Sequence, residues 1–392
     1  VERRVTLVFI LLSFIIGLCG SFFGPLSSLF IVEELGATPI MLSAYMVTAV
    51  SCSVIVSQYM ARRSDRGWKR KRILLISLIS NFILVFSFTL VREYYLALLI
   101  VAIFGSISGA GFGQLFALAR EYGDECLKDG RQFLATMRAG TSVAWVFGAP
   151  IAFMVKASFG FAATFSISAF IVLLAIYITY KSVPNCNQKN EVAVMQVGHV
   201  RNALLRFDVL LYSSVIILAF SANSLYLTTM PLYLSQELML DDKWFGVLFG
   251  VAALFEIPAM ILSGRLARAI GSTRVMLLGT ISGVVFFSLM LLGKEVHYFV
   301  LAQVFNGIFV GTCAALGMVA MQDMMKNQLG VASTLFSNLL QISSLLGGAF
   351  VGIVGQLVSY YANFYLSLIL ISLSALLLCI FCFVVKPSYQ YS

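Results

Sequence analysis

Long apolar runs separated by short polar breaks dominate this chain. A run of roughly 18 or more apolar residues marks a membrane span. By that measure spans fall near residues 5–32, 40–61, 73–91, 95–119, 133–155, 161–180, 208–234, 244–264, 274–293, 298–323, 331–358 and 362–385. That makes twelve predicted helices, each long enough at about 1.5 Å per residue to cross a hydrocarbon core of about 30 Å. The longest break, Lys181 to Arg206, is rich in polar residues (Asn185, Asn187, Gln188, Lys189, Asn190, Glu191) and divides the chain near its middle. The pattern predicts an all-α membrane protein, with six-helix bundles over 1–180 and 207–392 and a linker over 181–206.

The two predicted halves repeat one another. Pro25-Leu26 in span 1 answers Pro231-Leu232 in span 7, and Ala61 answers Gly264 after spans 2 and 8. Tyr95 and Tyr298 open spans 4 and 10, and Gly148 in span 5 answers Gly347 in span 11. The offsets drift only from 199 to 206, which predicts a tandem duplication with parallel halves.

Composition sharpens this picture. The chain is 60% hydrophobic and 11% charged, against about 25% charged in a soluble domain. A soluble fold is excluded. The net charge of +9 would suggest nucleic acid in a soluble protein, but here it is unevenly placed. With both termini on one face, 21 Lys and Arg lie on that face and four on the other (Arg92, Lys156, Lys243, Lys294), with Arg138 inside a span. This asymmetry predicts cytoplasmic termini and no nucleic-acid role, with some basic residues near anionic lipid heads. The seven cysteines give no disulfide framework, and Cys379-x-x-Cys382 reads as lipid-facing filler in an apolar helix rather than a zinc pair. The first apolar run, about 27 residues without a small-residue cleavage site, should stay as a membrane helix. The chain starts without Met, so residues are expected to precede it. His199 and His297 fall in loops, and no metal, nucleotide or nucleophile constellation is present. No enzyme activity and no cofactor are expected.

Seven of the twelve residues from Ala61 to Arg72 are Lys or Arg. Asp65, Arg66, Arg70 and Lys71 resemble the Gly-x-x-x-Asp-Arg-x-Gly-x-basic-basic signature of major facilitator transporters. Ala61 replaces its first Gly, and Gly67 sits one place early. Twelve spans in paired halves with a central linker are also that superfamily's layout, which implies a substrate cavity between the halves near the midplane. In the family the acid sits near a helix N-terminus and helps to latch the cytoplasmic side. The echo at Gly264, Gly271 and Arg274 carries Arg268 in place of the acid. In span 5, Gly148-x-Pro150 resembles the Gly-Pro signature of efflux-type members, one Ala apart.

Ionisable residues inside spans are costly, at about 2.5–3.5 kcal/mol on insertion scales, and so point to function. Glu256 lies mid-way along span 8, too short to reach the surface, and is a candidate proton carrier. Arg138, two turns into span 5, is a candidate counter-charge, although its depth also permits snorkelling. Arg120, Glu121 and Asp323, with Asp65 and Arg66, read as gate charges, the 203 offset setting Asp323 opposite Arg120. Neutral polar groups populate the spans expected to line the cavity: Gln114, Asn223, Tyr226, Gln303, Asn306, Asn338 and Gln341. Gln303 and Asn306 share a helix face, as do Asn338 and Gln341. Amides and phenols suit a hydroxyl-rich neutral solute and an indole such as Trp145 can stack on a sugar ring, but the same groups also serve as bonds between helices.

With these residues in hand, the chain resembles the sugar efflux transporter branch of the superfamily. The likeness runs through Gly24–Phe30, Gln114–Tyr122, Ala144–Val146, Pro150–Phe153, Glu256–Leu262, Gln322-Asp323 and Ser333–Asn338. It implies export of glucose, lactose and related glycosides from a bacterial cytoplasm across the inner membrane, against proton entry, by an expected monomer. A drug or amphiphile exporter of the same fold is the alternative, favoured by 13% aromatic content and the span 5 signature. A membrane sensor would need a partner-binding domain for which the linker is too short.

Overall fold

The computed structural model describes residues 2–65, 68–127, 130–184, 206–241, 243–293, 295–325 and 329–385. In lipid every backbone N–H and C=O must find a partner within its own segment, so long apolar runs become helices. Among the described residues eleven helices are long and apolar enough to cross a membrane. One of them, Gly130–Ser182, has a 47-residue apolar stretch, about 70 Å at the helical rise and over twice a bilayer core. It turns at Gly160, where φ 80° and ψ 177° leave the helical region. That φ favours glycine, because a Cβ would crowd the backbone. The long helix therefore supplies two spans, which makes twelve among the described residues.

In chain order they are α1 (Glu2–Glu33), α2 (Pro39–Asp65) and α3 (Arg70–Leu90). Span α4 runs in pieces from Tyr94 to Cys126, with a wide turn at Val101–Gly105. The two halves of the long helix are α5 (130–159) and α6 (161–182). Next come α7 (Phe207–Leu232, with a wide turn over Tyr233–Glu237), α8 (Lys243–Ile270) and α9 (Ser272–Leu292). The last are α10 (Val296–Met324), α11 (Leu329–Leu357) and α12 (Ala362–Ile380).

The chain divides into two compact units, one holding α1–α6 and the other α7–α12, with Asp241–Gly246 grouped in the first. Most of the predicted linker, residues 185–205, lies outside the described residues.

In the first unit, the core at the basic-loop end gathers Phe9, Leu12, Leu78, Leu118, Phe133 and Val172 from α1, α3, α4, α5 and α6. At the opposite end Phe23, Phe30, Phe88, Phe161 and Phe165 form a ring cluster with centroids 5.0–6.0 Å apart. In the second unit Tyr226, Phe286 and Phe287 pack edge to face, with centroids 5.0 and 6.3 Å from the Tyr226 ring. Lipid is as apolar as these side chains, so close packing and hydrogen bonds, more than burial, hold the helices together.

Two expectations change here. The apolar pattern predicts an end of span 5 at residue 155 with Lys156 in a loop, but the helix continues and buries Lys156 to 8% exposure. Its ammonium pairs with Glu33 at 2.8 Å and sits 4.6 Å over the Phe161 ring, so the charge is compensated inside the helix pair. Cys382, read as lipid-facing, turns inward at 2% exposure, while Cys379 is half-buried. The helix widens to a π-turn at Phe381–Val385, which shifts the facing of its residues. No group of three or more metal-ligating side chains occurs among the described residues.

Candidate functional site

The first unit is organised by the crossing of α1 and α5. Ser13, Gly17 and Ser21 stand four residues apart on α1, and Gly140, Ala144 and Gly148 do so on α5. Such small-residue stripes let backbones approach closely. A Cβ placed on Gly17 would lie 3.0–3.1 Å from Thr141 and Ala144, and one on Gly148 would meet Ser21. Three hydroxyl bonds stitch the seam: Ser13 Oγ to the Met137 carbonyl at 3.0 Å, Thr141 Oγ1 to the Ser13 carbonyl at 3.3 Å, and Ser21 Oγ to the Ala144 carbonyl at 3.3 Å.

This register lays the Trp145 indole across Gly20 and Gly24 of α1. A Cβ at either glycine would sit 3.5–3.6 Å from the ring. The two glycines make a floor for one face of the indole, and 41% of the side chain stays exposed. Arg138 is half-buried, seven residues earlier on the same helix.

In the second unit the crossing repeats. Gly347 of α11 faces Ser224 of α7, with a Cβ there 2.7 Å from its Oγ, and Ser343 Oγ donates to the Ile217 carbonyl at 3.2 Å. Gly347 follows Gly148 by 199 residues and Ser224 follows Ser21 by 203, so the duplication extends to the packing.

Three of the expected polar groups come together here. Tyr226, at 0% exposure, donates its hydroxyl to Gln303 Oε1 at 3.1 Å, and Asn306 Nδ2 donates to the same oxygen at 2.9 Å. Gln303 Nε2 donates to the Phe299 carbonyl at 3.2 Å. Asn306 Oδ1 is buried with no hydrogen-bond partner among the described residues. Asn223 and Asn338 are half-buried and Gln341 is exposed. In the first unit Gln114 is buried and accepts from Ser64 Oγ at 3.2 Å, joining α4 to α2.

Glu256 is half-buried on α8, and among the described residues no hydrogen bond or ion pair is found for its carboxyl. Its helix is seated in a groove on α10 cut by Gly307 and Gly311. A Cβ on Gly311 would lie 2.5 Å from the Glu256 carbonyl oxygen, and one on Gly307 would lie 2.9 Å from the Glu256 nitrogen and meet the Ala252 carbonyl. Backbone cannot yield as a side-chain tip can, so the register of Glu256 on α10 is fixed.

Of the gate charges, Arg66 lies outside the described residues, as does the side chain of Asp65 at the end of α2. Arg120 is exposed at the end of α4. Glu121 pairs with Arg70 at 2.6 Å, and Asp323 Oδ2 accepts from Ser272 Oγ at 3.3 Å. Both members of the second pair stand 202 residues after the first (70 to 272, 121 to 323). By contact, then, Asp323 is the counterpart of Glu121 and not of Arg120. The one-place slip reflects the drift in the repeat offset.

The sequence profile of the Major Facilitator Superfamily matches residues 9–213 and again 212–391. The "Sugar efflux transporter A" of Escherichia coli K12 is 34% identical over 94% of this chain and 94% of its own. The protein of the same name from Dickeya chrysanthemi is 32% identical over 93% of this chain and 92% of its own. The chain belongs to the sugar efflux transporter family. As a sugar efflux transporter family member it is a multi-pass membrane transporter and not an enzyme. A solved nucleoside transporter, NupG, superposes with a TM-score of 0.75 at 13% identity, covering 97% of this chain and 98% of that one, which shows the shared fold.

Sequence reading of this family member missed the two glycine floors and the acid clamps at the ends of α4 and α10. Gly20-x-x-x-Gly24 and Gly307-x-x-x-Gly311 carry the small-residue spacing that could have flagged the first. The clamps join residues about fifty apart, and nothing in the linear pattern marks them.

Proposed function

We propose that this protein exports sugars or glycosides across a bacterial inner membrane by alternating access, driven by proton entry, with its basic-loop end and termini in the cytoplasm. The observation that carries the reading is identity of 30–34% over nine-tenths of the chain to proteins named as sugar efflux transporters. The Trp145 indole supports it, being backed by glycines and partly exposed, because an aromatic face can stack on the C–H face of a pyranose. Asn223, Asn338 and Gln341 keep amide groups at least partly open for sugar hydroxyls. Gln114, Tyr226 and Gln303 spend hydrogen bonds between helices in this conformation, and Asn306 spends one on Gln303 of its own helix, so these groups reach a sugar only if those bonds are exchanged.

Glu256 is the proposed proton site, with Arg138 as a counter-charge in the cycle. A carboxyl in a membrane span without a fixed cation can exchange a proton as its surroundings change, whereas a tightly paired one cannot. Asp65, Arg66, Arg120, Glu121 and Asp323 are the proposed gate charges at the basic end. Proteoliposomes loaded with a labelled glycoside test the coupling. Efflux should accelerate under an inward proton gradient, and Glu256→Gln should abolish that response while leaving counterflow intact. Efflux indifferent to the gradient in the unmutated protein would remove the proton from the proposal.

A further inference from the structure

We propose that the corner where the start of α3 meets the end of α6 binds the phosphate of an anionic phospholipid, with its acyl chains along the apolar stripes beside it. Lys71 makes the corner. Its ammonium donates to the carbonyl of Tyr180, in the last turn of α6, at 3.0 Å and to that of Val183, just past the helix, at 2.7 Å. Those contacts cap the helix and bind the base of α3 to it. Arg70 is committed elsewhere, to Glu121. Two cations flank the joint with no acidic partner among the described residues: Arg72, next to Lys71, and Lys181, next to Tyr180. Both are exposed.

Lys181 is held in place. Its Nζ donates to the Tyr177 hydroxyl at 3.1 Å and lies 5.5 Å over that ring. A lysine otherwise free to sweep through solvent is thereby positioned for an anion. The same device recurs on α2, where Arg63 Nε donates to the Tyr59 hydroxyl at 3.0 Å and its guanidinium lies 5.3 Å over Tyr59 and 5.9 Å over Trp68. In each case a tyrosine precedes the cation by four residues, and the rings are exposed. Exposed Tyr and Trp beside cations at helix ends mark the headgroup level of a bilayer.

Beside these cations the helices are bare and apolar. On α6, Tyr177, Leu174 and Phe170 are exposed in a stripe running away from Lys181, and on α3 Ile76 and Ile79 are exposed in a stripe running away from Arg72. A free phosphate would use the cations and leave the stripes and rings uncovered. An anionic phospholipid uses both.

The test titrates the full chain in detergent with phosphatidylglycerol and with phosphatidylethanolamine, followed by native mass spectrometry. The expected result is preferential retention of phosphatidylglycerol. The Arg72→Gln/Lys181→Gln pair should lose that preference by roughly tenfold or more, and Lys181→Arg should keep it. Arg3→Gln/Arg4→Gln removes the same charge from the exposed start of α1 and should leave the preference intact. Single Lys181→Gln serves if the double variant does not fold. Equal loss in the Arg3/Arg4 variant would overturn the corner in favour of diffuse charge. Retained preference in Arg72→Gln/Lys181→Gln, or displacement of the lipid by inorganic phosphate alone, would overturn it too.

Discussion

Trp145 shows how much one side chain depends on residues that do no chemistry. The indole rests against Gly20 and Gly24, and it can keep that position only while the space beside the two glycines stays empty. Trp145→Ala should therefore raise the concentration of glycoside at half-maximal efflux by about two- to tenfold, on the scale of about 0.5–1.5 kcal/mol for an aromatic contact. Trp145→Phe should recover part of it. Gly24→Val should mimic the loss by lifting the ring, with the change in half-saturation larger than the change in maximal rate. Glu256 teaches the complementary lesson. Its position in the middle of an apolar run is legible in the sequence, but its environment is not, because the groove of Gly307 and Gly311 lies on another helix about fifty residues away. Trp145 was legible as an aromatic on a span. Its glycine floor was not legible, since glycines in membrane helices are common and only the partner gives them meaning.

Between elements, small residues line the seams, and at the α1/α5 and α7/α11 crossings hydroxyls also bond carbonyls across the gap. Each such bond contributes on average only about 0.6 kcal/mol in a membrane, so the backbone approach that the glycines permit carries more weight. Gly148→Leu and Gly311→Leu should each lower the thermal midpoint of the detergent-solubilised protein, because Ser21 and the Glu256 backbone occupy the required space. At the far end of α7, the Glu237 carboxylate accepts from the Tyr360 and Tyr361 backbone N–H groups at the N-terminus of α12. Burial and the neighbouring Glu237 push the Tyr360 phenol up to about 12, so that ring stays neutral through the physiological range. Glu237→Ala should cost about 1 kcal/mol, the usual worth of an anion at a helix N-terminus, read as a fall in the same thermal midpoint. The twelve spans were legible because apolar run length alone sets them. The end of α5 was not, since Glu33 and Phe161 rescue Lys156 from a distance.

At the scale of the whole molecule, duplication explains most of what the sequence foretold. The anchors at Gly148 and Gly347 mark the same crossing in both halves, and the family profile matches each half in turn. The halves have nonetheless diverged at the acid clamp. Glu121 has the Arg70 cation, whereas Asp323 has the Ser272 hydroxyl. Glu121→Gln should accordingly cost more than Asp323→Asn, since only the first removes a charge from an ion pair. Parallel thermal melts of the two variants decide it. The charge asymmetry predicts orientation as well: reporter fusions in the loop after α2 and at both termini should read as cytoplasmic, and fusions near Arg92 and Gly160 as external.

Counterflow in proteoliposomes tests the central claim most directly. Vesicles carrying the unmutated chain are loaded with unlabelled glycoside and diluted into a trace of the labelled compound, with a hydrophobic cation run in parallel. The account predicts a transient accumulation of label for glucosides or galactosides that Trp145→Ala sharply reduces. Accumulation of the hydrophobic cation with none for any glycoside would contradict it.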